Sequence, residues 1–114
     1  MFDAKKLLVT LGAVIAFSSA LADEVAFTSA DVLSWNEEDQ NILFLNSILM
    51  VGIVATQTDE SGRTARCIDD WYSDDAIPER QDYIRSVLER FPDHHPQVMI
   101  LAVIEKECGE FGSG

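Results

Sequence analysis

Apolar positions fall into four groups along the chain, and their spacing predicts helices. Residues 7–17 (LLVTLGAVIAF) form an apolar run with no polar face. Residues 42–55 are apolar nearly all round, interrupted only by Asn46, Ser47 and Gly52. Ile84, Val87, Leu88 and Phe91 stand at i, i+3, i+4 and i+7, the buried stripe of an amphipathic helix. Leu101, Ile104 and Cys108 share one face of a last helix. No stretch alternates with the period of two that a half-buried strand shows. The expected fold class is all-α, a small domain of four to five helices.

Local signals set the expected boundaries. Residues 28–35 read as a lead-in turn or short helix. Ser34 followed by Glu37 matches a capping box, and Glu37, Glu38 and Asp39 suit a positive helix N-terminus, so a helix is expected over 35–55. A helix without a polar face must be covered on most sides, either as the central helix or within a dimer interface. Gly52 inside it costs about 1 kcal/mol relative to Ala, which suggests a second backbone packed against it. Fourteen apolar residues are too few for a bilayer, which needs roughly 20. Residues 56–66 read as a polar loop with Gly62 at its turn, and residues 67–77 as an acidic, irregular segment. Pro78 fits the first position of a helix over 78–90, Pro92 stops it, and Asp93-His94-His95-Pro96 makes the turn. The last helix is expected over 96–108, with Gly109 as its cap.

The first apolar run reads differently from the rest. Lys5 and Lys6 precede it, and Ala20-Leu21-Ala22 follows with small residues where a signal peptidase reads. Residues 1–22 are therefore expected to be a signal peptide, cleaved after Ala22, leaving residues 23–114 as a single helical domain. The compact leader fits export to a Gram-negative periplasm. The exported part would keep six basic and nineteen acidic side chains, a net charge of −13. Such a surface repels phosphate backbones and anionic lipid, so neither nucleic acid nor, after processing, a membrane is an expected partner. A basic protein is favoured, because opposite fields speed encounter. Cys67 and Cys108 are the only cysteines, and in an oxidising compartment they are expected to pair. The closed loop of about 40 residues is worth roughly 4 kcal/mol.

Few residues offer chemistry. His94 and His95 are the only histidines and adjoin on a turn, unlike helical i, i+4 ligands, so no metal is expected. Asp69 and Asp70 near Cys67, and Glu107 and Glu110 near Cys108, would hold a thiol protonated, so neither cysteine reads as a nucleophile. Acidic pairs arise readily among nineteen carboxylates, and the spacing in 69–79 is not that of a calcium loop. No enzyme activity and no cofactor are expected. Trp71 and Tyr72 lie among the acids, either as a contact patch or with Trp71 plugging the core beside the disulfide.

The order of parts resembles the Rap/Tai-type periplasmic immunity proteins of type VI secretion systems. The resemblance covers residues 34–108 and rests on Met50-Val51-Gly52-Ile53 in an apolar helix, Cys67 after a polar loop, Leu88-Glu89-Arg90-Phe91-Pro92 closing a helix, and Cys108 on the last. Ile48-Leu49 stand where that family usually has Gly-Tyr, and Phe91-Pro92 where it has His-Pro. The resemblance implies a non-catalytic inhibitor that blocks the groove of a peptidoglycan amidase, often as a homodimer. From charge and exposure, the contact loop is expected to be Asp69, Asp70, Trp71, Tyr72, Asp74 and Asp75, with residues 56–66 as a second patch. The alternatives are a periplasmic acid-stress holdase of the HdeA type and an accessory subunit of an envelope complex.

Overall fold

The computed structural model describes residues 26–110. The expected signal peptide, residues 1–22, lies outside the described residues. Five α-helices follow one another: α1 (Ser29–Leu33), α2 (Glu37–Thr58), α3 (Arg63–Trp71), α4 (Ile77–Arg90) and α5 (Pro96–Cys108). A 3-10 turn at Asp74–Ala76 joins α3 to α4, and no strand occurs among the described residues. The expected all-α fold and the Cys67–Cys108 bridge are both present, the two Cα atoms lying 5.7 Å apart.

The helix starts differ from expectation in an instructive way. Ser34 does not open α2. Its hydroxyl donates to the Asp31 carbonyl and its backbone N–H to Ala30, so it closes α1. The capping box belongs to α1 instead, where Thr28 and Asp31 exchange side-chain and backbone hydrogen bonds. Asn36 caps α2, accepting from the Asp39 N–H at 2.8 Å. The helix then runs to Thr58, three residues past the expected end.

The segment expected to be irregular is mostly helix. Asp59 creates α3 from a distance. One carboxylate oxygen accepts from the Ser61 N–H and hydroxyl, the other from the Thr64 N–H and hydroxyl, all within 3.0 Å. Gly62 turns the chain at φ +71, and a Cβ there would meet the Arg66 guanidinium at 3.0 Å. Within α3, Ile68 and Trp71 face inward and Asp69 and Asp70 outward, so the helix is amphipathic despite its charge. In α4, Ile77 rather than Pro78 takes the first position.

The core lies between α2, α4 and α5, with Phe44, Ile84, Leu88, Ile100 and Ile104 fully buried. Helix α1 closes one end of it, burying Val32. Its N-terminus is tied to the α4–α5 turn: the Ser29 N–H and hydroxyl donate to the His94 carbonyl at 2.7 and 2.9 Å, and the Ala30 N–H donates to Pro92. The turn histidines thus serve the backbone, and His95 also caps α5 through Nδ1.

Candidate functional surface: an apolar helix face and an acidic corner

Helix α2 divides lengthwise into two halves. One side packs on the other helices and buries Gln40, Phe44, Ser47, Ile48 and Ala55. The other side is equally apolar and open: Ile42, Leu45, Leu49, Met50, Ile53 and Val54 are each 43–60% exposed. The expectation of a helix wrapped on most sides is therefore not met within one chain. The predicted close approach at Gly52 is absent too, since a Cβ there would have nothing within 4 Å. The signal for this face was present in the sequence, because no ionisable side chain occurs between Asp39 and Asp59.

Two clefts along this side share Leu45 and Tyr72 and so form one groove. The first, about 430 Å³, runs between α2 and α3 past Leu49, Gly52 and Ile53 to Thr56 and Arg66. The second, about 490 Å³, continues past Ile42 and Asn41 to Glu37 and Glu38. The groove is thus apolar along its length, with Glu37 and Glu38 at one end and Arg66 beside Asp69 at the other. By length and composition α2 is also apolar enough to cross a membrane, being 22 residues long with a mean hydropathy of 1.5 over its most apolar window. A span would require α2 to part from the helices that cover its buried side.

The acidic corner follows α3. Asp69, Asp70, Asp74 and Asp75 are exposed, whereas Trp71 and Tyr72 are each only 8% exposed. The two aromatics are therefore core residues, which matches the alternative in which Trp71 plugs the core and not the one in which they form an exposed contact patch. Burial holds the Tyr72 hydroxyl protonated to higher pH than usual, with the Gln81 hydrogen bond and the Arg85 charge opposing that effect. Two side chains and the disulfide pin the corner. Arg80 lies over the Trp71 ring at 5.1 Å and donates to the Trp71 carbonyl at 3.0 Å. The Ser73 hydroxyl donates to the Asp70 carbonyl, and the disulfide ties α3 to α5 one turn upstream. Asp74 adopts a left-handed conformation, φ +49, which Asp tolerates better than most residues.

Two further side chains matter that no local pattern announces. Arg85 donates to Gln40 Oε1 at 2.8 Å, Asn41 Oδ1 at 2.7 Å and Asp82 Oδ1 at 3.0 Å, clamping α4 to the start of α2. The Asp59 carboxyl is held well below the usual carboxylate range, first by the Ser61 hydroxyl, then by the Thr64 N–H and hydroxyl. Among the described residues, no three His, Cys, Asp or Glu side chains gather where they would hold a metal ion. What the described residues assemble are surfaces for contact: an apolar groove and an acidic corner. Comparison with known protein families, curated proteins and solved structures finds no match for this chain.

Proposed function

We propose that the protein acts in the periplasm by binding, as an immunity protein that blocks a peptidoglycan amidase delivered by a type VI secretion system. The observation that carries this reading is the pinned acidic corner, four exposed carboxylates on a backbone held by Arg80, Ser73 and a neighbouring disulfide. A rigid, charged protrusion enters a basic groove with little loss of conformational freedom. Asp69, Asp70, Asp74 and Asp75 are the contact residues in this reading; Trp71 and Tyr72 support them from beneath. The partner is a basic amidase, and its inhibition involves no cofactor and no chemistry by this chain. The test is co-purification with a small exported amidase encoded beside this protein, and loss of that enzyme's lytic activity on adding it. No inhibition of any such neighbour removes the reading.

The open apolar side of α2 favours a second reading, an acid-stress holdase that offers this face to unfolding clients. That reading predicts suppressed client aggregation only near pH 2–3, where carboxylates discharge. Equal suppression at pH 7 removes it.

A further inference from the structure

We propose that the groove along α2 docks, at neutral pH, one amphipathic helix of another protein, with Lys or Arg beside its apolar stripe at one end. The site does not rest on the immunity reading, whose contact is the acidic corner. It also differs from the holdase reading, whose clients bind while unfolding and only in acid.

The groove has the form of a cradle for a helix. Its two clefts follow α2 from Glu37 to Thr56, about 28 Å of helix. Ile42, Leu45, Leu49 and Ile53 line it at successive turns and are each 44–59% exposed. An open apolar patch of this kind, rimmed by charge, marks a surface that a partner covers. No strand occurs among the described residues, so the groove offers no row of unpaired backbone groups. An extended segment laid in it would leave its own N–H and C=O groups without partners. A helix arrives with those groups already paired and presents apolar side chains at i, i+3, i+4 and i+7, the spacing of the row it meets. Gly52 also lines the first cleft with nothing within 4 Å of its Cβ position, so a second helix can come close there.

The ends select the charge of the occupant. Glu37 and Glu38 stand at one end, and neither forms an ion pair, Arg85–Asp82 being the pair among the described residues. Tyr72 and Ile77 line the same cleft, and the exposed Asp74 and Asp75 lie in the chain between them. At the other end Arg66 and Asp69 offset one another. The field is therefore negative at the Glu37 end and near neutral at the far end, on a chain whose net charge is −12. A cation on the occupant gains partners there, and an anion is repelled. A second copy of this chain fits less well, because its α2 brings the same apolar row with Glu37, Glu38 and Asp39 and no Lys or Arg. A lipid surface fits less well for the same reason, since surface-bound helices usually carry Lys or Arg on their polar side.

Fluorescence anisotropy at pH 7 tests the site, using oxidised protein expressed from its full sequence. The probe is a labelled synthetic peptide of about 18 residues with Leu at helical spacing, Lys at one end, and Ala and Gln elsewhere. Binding in the tens of micromolar is expected, weakened at least about tenfold when Glu replaces Lys or when the Leu residues are scrambled off the stripe. Leu49→Glu should weaken it at least about 30-fold with circular dichroism and melting temperature unchanged, because Leu49 is 55% exposed. Attraction by net charge alone would strengthen in that variant, so equal or tighter binding overturns the proposal. Ile53→Gln repeats the test without a change of charge and should weaken binding at least about fivefold. Glu37→Gln with Glu38→Gln should weaken it at least about fivefold, whereas Glu89→Gln with Asp93→Asn, which line neither cleft, should leave it unchanged. Equal losses from the two pairs overturn the assignment of the basic end. A parent that binds no peptide overturns the site; a dimer dissociated by Leu49→Glu would then give the face to a second copy, and flotation with phosphatidylcholine vesicles lost in that variant would give it to lipid.

Discussion

Arg85 is the side chain whose removal tests the packing argument most directly. It is largely covered, and its guanidinium satisfies Gln40, itself only 6% exposed, as well as Asn41. Arg85→Met keeps an apolar stem and deletes the donors together with the guanidinium that lies 5.5 Å from the Phe44 ring centroid. Hydrogen bonds from a charged donor are worth about 1.5–3 kcal/mol, and an orphaned buried acceptor costs about 1–3 kcal/mol. These overlap, so the net loss expected is about 2–3 kcal/mol. In a domain of this size that lowers the melting temperature by about 10–20 °C. The Asp82 partner is 81% exposed, so Asp82→Ala should change stability by less than about 0.5 kcal/mol. The decisive comparison is a double-mutant cycle. Gln40→Met alone also costs, because its amide donates to the Leu33 and Trp35 carbonyls. The double variant should be less damaged than the sum of the singles by about 1–2 kcal/mol, since Gln40 Oε1 is no longer left without a donor. Thermal melts followed at 222 nm read all four species. Additive losses, or an Arg85→Met variant as stable as the parent, would refute the claim that this clamp joins α4 to α2.

Other expectations follow from the same geometry. Replacing Cys67 and Cys108 by Ser opens a loop of 41 residues and should cost about 4 kcal/mol, seen as a melting temperature lower by about 20 °C; a drop below about 5 °C would show that the link contributes little. Asp59 has a depressed folded pKa, so its contribution is complete above its unfolded value near pH 4 and is lost as pH falls toward the folded one. Asp59→Ala should therefore lower the melting temperature at pH 7 and flatten its decline below about pH 4; an unchanged acid slope contradicts the capping role. On the proposed reading, Asp74→Asn with Asp75→Asn should leave the fold intact, since Asn also tolerates the left-handed backbone at 74, and weaken amidase inhibition about tenfold; inhibition at full strength would move the contact elsewhere.

Much of the fold was legible wherever pattern and punctuation agree. The Ile84, Val87 and Leu88 positions between Pro78 and Pro92 gave α4, although Phe91, expected to complete that buried stripe, caps the helix and is 41% exposed; Pro96 with Gly109 bounded α5. Helix α3 escaped because its N-terminus carries no capping side chain of its own. Asp59 supplies the cap from outside the helix, behind a left-handed glycine. Trp71 and Tyr72 misled for a related reason: their acidic neighbours point to solvent, and only a helix register shows that Trp71 turns the other way. The clamp of Arg85 on Gln40 joins residues 45 apart, a relation that no local period encodes. The α2 face was half legible: its uninterrupted apolarity was plain, but which half the chain covers depends on where α3, α4 and α5 come to rest.

The position of Cys108 sets an order of events in biogenesis. Cys67 lies in the middle of the chain, and its only partner is the final residue of the last helix. A polypeptide that emerges from a ribosome or a translocon N-terminus first exposes Cys67 long before Cys108. Its thiol must wait reduced, or held by an oxidoreductase, until α5 has passed. Ring closure therefore reports that α5 has been delivered, and a chain truncated within α5 would be left with an unpaired thiol and no covalent seal.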